Sequence, residues 1–329
     1  MTALSVAVVM GGPSTEAEVS RASARGVAAA LREAGHRVAS IELDAWLADS
    51  IRTGGYDVVF PVVHGAVGED GCLQGLLEVL DVPYVGSRVL ASALAMDKPS
   101  ARVAFQAAGL PVARGRAYGR GDPIALARDA RREVGARVVV KPAAGGSAIA
   151  VARHGEDAPD ADVAASIAAV LDKDDVVLVE HFARGREVTC GVLELGGSAR
   201  ALPPTEIESP SDAFYTYEAR YAKGRSVHTC PANLPAPVLE AVQSVAVRAF
   251  RALGCRDLAR VDFVVGDDGD AAAVTLLEVN TLPGMTETSL YPEAAAVAGH
   301  AFPALVSALA AQAFERGTPR RNAPIPLPR

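Results

Sequence analysis

Near the C-terminal end of this 329-residue chain, an arginine, two carboxylates and an asparagine sit two residues apart in apolar segments. Arg260 and Asp262 lie in RVDFVV, Glu278 and Asn280 in TLLEVN. Successive side chains of a strand leave on opposite faces. As strands, these segments put Arg260 and Asp262 on one face, and Glu278 and Asn280 on one face. Val261, Phe263, Leu277 and Val279 are expected on the opposite faces, packed inward. The polar turn GDDGD, from Gly266 to Asp270, suits a hairpin return. A register centred near Asp270 sets Asp262 opposite Glu278 and Arg260 opposite Asn280. That face offers hard oxygen donors, the type Mg²⁺ takes beside substrate phosphates, with a guanidinium next to them. It suits phosphoryl chemistry carried on a sheet. The alternative, a solvated face of an edge hairpin, accounts for any one of these charges better than for four at matched spacing.

Other candidates are spread along the chain. Lys98 and Lys141 are compact charges suited to phosphate oxygens. Lys141 ends the strand-like RVVVKP and precedes AAGGSA, a Gly-containing loop able to close over phosphates with its amides. Glu180 ends VVLVE, and Glu187 opens the next strand. Polar punctuation of this kind suits adenine and ribose recognition, or is simply two surface glutamates at a turn. In GGPSTEAEVS, Thr15 and Glu18 have the spacing of a capping box, which leaves Glu16 without a structural role. Two readings stand for Glu16: a carboxylate holding a substrate ammonium where a parallel strand ends, or a helix-terminal glutamate stabilised by the dipole. His64 in HGAVGEDG has the same placement after another strand, as a ligand contact or a plain loop histidine.

These side chains need a scaffold, and the apolar pattern supplies one. Ser5 to Met10 and Asp57 to Val63 are continuous apolar strands, with a second strand at Arg37 to Leu43 and a helix from about Glu16 to Ala34. Strands apolar on both faces, separated by helices, imply a covered parallel sheet. A helical stretch from Arg88 to Gly109 is expected to carry Lys98 near its middle. A β-rich frame follows, with strands at Arg137 to Lys141, Ala148 to Arg153, Val176 to Glu180 and Glu187 to Leu195. A helix spans about Ala161 to Leu171. Then come a long polar stretch (Glu208 to Ser226), a helix (Pro235 to Leu253), the hairpin and two further helices.

Half the residues are hydrophobic and the net charge is −7 with both signs scattered, which argues against nucleic-acid and membrane partners. The length favours two or three domains. The four cysteines are far apart without metal-ligand spacing, as in a reduced, cytoplasmic protein. No signal-peptide pattern and no span-length apolar run is seen, and the Pro/Arg-rich end is expected to be unstructured. There is no Gly-Lys pair, no G-x-G-x-x-G and no G-x-S-x-G. A Walker loop, a nicotinamide fingerprint and a hydrolase elbow are therefore disfavoured.

Taken in order, GGPSTEAEVS, HGAVGEDGCLQG, MDK at Met96 to Lys98, YTYEARY at Tyr215 to Tyr221, RVDF and LEVNTLPGMTETS make the chain resemble the D-alanine–D-alanine ligases of the ATP-grasp superfamily. The resemblance runs from Val6 to about Phe314. It implies an α/β fold, α+β in its ATP-grasp part: a parallel-sheet domain for the first substrate (1–97), a central lid domain (98–185), a catalytic domain (186–315) and a tail (316–329). It implies ATP and two Mg²⁺ or Mn²⁺ ions as cofactors, D-alanine as substrate, and a homodimer making peptidoglycan precursors in the cytoplasm. Lys98, Lys141, Glu180, Glu187 and Arg220 match nucleotide contacts, and Asp262, Glu278 and Asn280 match metal ligands. Glu16, Ser147 and Tyr221 match a triad positioning the first D-alanine, with His64 beside it. Arg260 and the Gly284 amide match the oxyanion site, and Ser289 and Leu290 the pocket for the second carboxylate. Residues 208–226 correspond to a lid.

Three departures bear on the lid and the adenine contacts. Ala148 and Ala150 stand where Ser and Gly are usual, Arg220 replaces a Lys, and His181 stands where Lys is common. Tyr221 is the form associated with an amine as second substrate. A ligase using another amino or hydroxy acid, and a silent nucleotide-binding homologue, are the competing readings.

Overall fold

The computed structural model describes residues 2–146, 149–208, 226–266, 273–286 and 289–318. Strands β1 (Ser5–Met10), β2 (Arg37–Glu42) and β3 (Val58–Pro61) form a parallel sheet in the order β2-β1-β3. Helices α1 (Ala17–Glu33) and α2 (Leu47–Gly54) make the crossovers. Val6 to Val9 are fully buried because both faces are covered: one by α1, the other by α2 and α3 (Cys72–Val79). This sheet sends the loops after β1 and β3 out at the same end, where open α/β sheets bind ligands.

Three local expectations are corrected, the first being the strand expected from Ala148, which begins only at Ala152 after a turn at 149–150. Helix α1 begins at Ala17 with Glu16 at the cap position and no side-chain cap bond, so the Thr15–Glu18 box does not form. Glu18 falls one position too early for it and pairs with Arg21 instead. The stretch 88–109 is two helices, α4 (Val89–Met96) and α5 (Lys98–Ala107). Asp97 breaks them by taking an extended backbone, and its carboxylate caps α5 by accepting from the Ser100 amide at 2.8 Å. Lys98 is therefore the first residue of a helix rather than the middle of one.

The central part is an antiparallel sheet, β4-β7-β5-β6, made of β4 (Gly115–Tyr118), β5 (Val138–Pro142), β6 (Ala152–His154) and β7 (Val177–His181). Helices α6 (Pro123–Val134) and α7 (Asp160–Leu171) back it with their own core. The third sheet contains β8 (Arg186–Leu195), β9 (Ser198–Ala201), β10 (Thr205–Glu208), β11 (Val227–Thr229), β12 (Leu258–Val265) and β13 (Val274–Asn280). Its order is β11-β10-β8-β12-β13, with β9 alongside β8. Helix α8 (Ala236–Leu253) covers one face.

Helices α9 (Leu290–Val297) and α10 (Phe302–Arg316) close the chain. Helix α10 packs back on the first sheet beside α1, burying Leu305, Val306 and Leu309, each worth about 1.5–3 kcal/mol of burial. At its end Arg316, where the tail was expected to start, donates to the fully buried Asp257 at 2.6 and 2.9 Å. Asp257 also accepts from the Gly86 amide and from Gln312, each at 2.8 Å. One carboxylate thus ties the first sheet's exit loop, the third sheet and the last helix together.

Candidate active site

The hairpin has the register expected of it. Arg260 pairs with Asn280 and Asp262 with Glu278. Beyond that point the register slips, and Phe263 pairs with Leu276. Leu277 is the extra residue of a β-bulge, which re-aims side chains locally. It was expected in the core. Instead Leu276 is buried there, and Leu277 faces the cleft described next.

That cleft, about 950 Å³ including its open mouth, lies between the central and third sheets, lined by Lys98, Lys141, Glu180, Glu187, Leu277 and Glu278 among others. Lys141 pairs with Glu180. Lys98 donates to the Gly145 carbonyl at 2.5 Å and lies 3.9 Å from Glu278 Oε2. Burial pushes the Lys98 ammonium below its ordinary pKa, and Lys141 adds to this against the pull of Glu278 and Glu180. Glu187 accepts from Arg153 Nη2 at 2.7 Å, an ion pair joining the two sheets, and the Arg153 guanidinium stands 5.2 Å over the Phe182 ring. His181 also lines the cleft, but its Nδ1 donates to the Val134 carbonyl at 3.1 Å. Ala150 holds φ +58, a left-handed backbone that favours glycine.

A smaller recess of about 360 Å³ shares Glu187, Leu277 and Glu278 with the cleft and adds Arg260, Asp262 and Leu290. Arg260 grips Asp262 with both edges of a fork, Nε to Oδ1 and Nη2 to Oδ2, each at 2.9 Å. Thr189 on β8 donates to the same carboxylate at 2.6 Å. Asn280 accepts from the Leu282 amide at 3.0 Å, fixing the turn. Among the described residues no three His, Cys, Asp or Glu side chains gather as a closed cation cage. The donor set is two carboxylates from paired strands with an amide next to them. It suits a hard cation that takes its remaining ligands from phosphates and water.

The first sheet brings Glu16 and His64 to this corner. A β-carbon added at Gly65 or at Gly146 would lie 3.7 Å from Glu16 Oε2, so the carboxylate stands between the His64 loop and the Gly-rich loop after β5. His64 is buried, with Nδ1 3.8 Å from Glu69 Oε1 and no described hydrogen-bond partner on Nε2. Burial lowers the His64 pKa. The neighbouring Glu69 carboxylate, helped by Glu16, outweighs that burial and the opposing charge of Arg260, and the net shift is upward. Glu16 and Arg260 thus both act on His64, although the three come from separate segments.

A β-carbon at Gly284 would sit 2.8 Å from Ser289 Oγ. Ser289 stands at the cap of α9, and its hydroxyl accepts from the Thr286 amide at 3.0 Å. Leu290, the first helical residue, lines the smaller recess. Ser147, Arg220 and Tyr221 lie outside the described residues, as do most of the expected lid and the turn around Asp270.

Four contributors escaped the sequence reading: Arg102, Glu69, Thr189 and Arg153. Arg102 had a visible signal. It lies one helical turn after Lys98, on the same side of one helix. Glu69 shares the HGAVGEDG loop with His64. Thr189 and Arg153 carry no local signal, since each meets its partner only across a sheet or a cleft.

A cleft lined by lysines and carboxylates, between a small antiparallel sheet and a larger one, defines an ATP-grasp enzyme. The family model described as D-ala D-ala ligase C-terminus matches residues 105–311, and the D-ala D-ala ligase N-terminus model matches residues 48–87. The chain belongs to the D-alanine–D-alanine ligase family. It is 44% identical over 312 residues to the D-alanine–D-alanine ligase of Desulforudis audaxviator, covering 94% of this chain and 99% of that one. Identity to the Acidiphilium cryptum ligase is 46% over 304 residues, covering 91% and 95%. Among solved structures, the VanG D-Ala:D-Ser ligase of Enterococcus faecalis matches with TM-score 0.81 and 29% identity, covering 95% of this chain and 100% of that one. A Bacillus anthracis D-alanine–D-alanine ligase complexed with ATP matches at 0.78 and 27%, covering 95% and 98%.

Proposed function

We propose that this protein joins two molecules of D-alanine into D-alanyl-D-alanine at the expense of ATP, as a cytoplasmic, dimeric enzyme of peptidoglycan precursor synthesis. The observation that carries this is the pairing of Asp262 with Glu278 at the seam between the nucleotide-sized cleft and the recess holding Arg260. The cleft takes ATP, with Lys98 and Lys141 toward the phosphates and Glu187 toward the ribose. Residues 1–97 carry the first-substrate loops, 98–185 the lid over the nucleotide, and 186–315 the catalytic sheet.

Glu16 and the buried, upshifted His64 hold the ammonium and carboxylate of the first D-alanine. Its carboxylate oxygen attacks the γ-phosphorus, the bond to the β-phosphate oxygen breaks, and ADP departs, leaving an acylphosphate. The amine of a second D-alanine, its own carboxylate at Ser289 and the start of α9, attacks the acyl carbon. Arg260 and the Gly284 amide stabilise the oxyanion. Phosphate then leaves and the amine proton is lost. Asp262, Glu278 and Asn280 are the residues that would hold two Mg²⁺ or Mn²⁺ ions, which when bound neutralise phosphate charge. Ser147 and Tyr221 would join Glu16 in positioning the first D-alanine, Arg220 would contact the nucleotide, and residues 208–226 would act as the lid that keeps water from the acylphosphate.

The test is D-alanine-dependent release of ADP with mass detection of the dipeptide, repeated with D-serine and D-lactate as acceptors. Glu278→Gln is expected to abolish ligation while the protein stays folded. Near-normal turnover in that variant removes the metal assignment, and nucleotide binding without phosphate release in the wild type points to a silent homologue.

A further inference from the structure

We propose that Arg102 is a positioning residue for the nucleotide: by pairing with Glu180 it leaves the charge of Lys141 available to phosphate oxygens. The inference rests on Lys141 as a phosphate ligand. Glu180 is shared by two cations, Arg102 on Oε1 and Lys141 on Oε2. All three side chains are nearly out of solvent, at 7% exposure for Arg102, 8% for Glu180 and 11% for Lys141. Water therefore screens the group only weakly, and its charge balance decides much of what it presents to the cleft. Two cations and one carboxylate leave a net positive charge. Without Arg102 the remaining pair would cancel, and the ammonium of Lys141 would be held by Glu180 alone.

The fold is built around this contact. Arg102 reaches from α5 to Glu180 on β7, and its Nη2 also donates to the Ala113 carbonyl at 2.8 Å, at the entry to β4. Gly115 of β4 pairs with Glu180 across the sheet. A β-carbon there would come within 2.7 Å of Glu180 Cγ and 3.0 Å of Arg102 Nη2. Glycine at 115 keeps open the lane in which the guanidinium meets the carboxylate. The same helix carries Lys98 at its start, so one rigid element sets both Lys98 and the partner of Glu180.

The experiment is a double-mutant cycle read by calorimetric titration of the full-length protein with MgADP, with thermal unfolding to check the fold. Arg102→Met is expected to weaken binding by about tenfold or more, a coupling of ordinary size for a contacting pair. In the Glu180→Gln background the same change is expected to cost less than about threefold, because no carboxylate then competes for Lys141. An equal loss in both backgrounds, or wild-type binding by Arg102→Met, overturns the proposal. Should Arg102→Met not fold, Arg102→Lys keeps the charge and is expected to bind within about threefold of wild type; a folded Arg102→Lys that binds tenfold worse also overturns it. Lys141→Ala separates the two levels. Undiminished binding there defeats the phosphate role of Lys141 and the proposal with it. Weak binding there with normal binding in Arg102→Met defeats the proposal alone.

Discussion

Arg260→Lys keeps a positive charge and removes the planar fork, so it separates charge from geometry where the recess meets the hairpin. Arg260 is 8% exposed and holds Asp262 through two bonds of 2.9 Å. A hydrogen bond to a charged group is worth about 1.5–3 kcal/mol, and an ammonium can replace only one of the two with good geometry. Thr189 still donates to Asp262, so the carboxylate is not orphaned. The stability loss is then about one such bond, read as a lowered unfolding midpoint. Turnover should suffer more. In the proposed second step Arg260 is an oxyanion donor, and losing one such donor costs on the order of 10²–10³ in rate. Arg260 lines the smaller recess and not the ATP-sized cleft, although the two share Glu187, Leu277 and Glu278, so turnover should fall by more than the KM for ATP changes. The assay is D-alanine-dependent ADP release at saturating ATP, beside a thermal melt. Turnover within about threefold of wild type in a folded Arg260→Lys would refute the assignment.

Two further outcomes follow from the geometry. The folded His64 pKa lies above its ordinary 6.5, so its stabilising contribution is full below 6.5 and is lost as pH rises through the folded value. The unfolding free energy in urea should fall with pH across that window, and Glu69→Gln should flatten the fall; identical slopes in both proteins speak against the pair. Ala150 holds a left-handed backbone, which costs a non-glycine residue about 1–2 kcal/mol, against about 0.5–1 kcal/mol of extra chain entropy when glycine is introduced. Ala150→Gly is therefore expected to stabilise the protein by up to about 1.5 kcal/mol, and a destabilised variant contradicts the strain.

Much of the site was legible because strand alternation has a fixed period of two. The order of polar and apolar residues in RVDFVV and TLLEVN was enough to forecast which side chains face each other, and the pairing of Asp262 with Glu278 followed. The continuous apolar runs before Gly11 and before His64 likewise announced a covered parallel sheet with loops at one end. The bulge at Leu277 was not legible, since an extra residue on one strand exists only relative to its partner. The break at Asp97 could have been read from the Asp-x-x-Ser spacing and Pro99. Helices α2, α3 and α6 and the short strands β4 and β9 to β11 went unplaced: the strands are too short for alternation to show, whereas α6 carried a readable start in Asp122 ahead of Pro123.

Local order therefore determined the kinds of chemistry available to this protein: which residues are charged, which strands are buried, and which faces they share. Closure of the chain decided which of those groups meet. Arg102 finds Glu180 across 78 positions of sequence, His64 comes within electrostatic reach of both Glu16 and Arg260, and the last helix returns to cover the first sheet. Those meetings depend on packing between elements distant in sequence, and no periodicity within a segment encodes its distant partner.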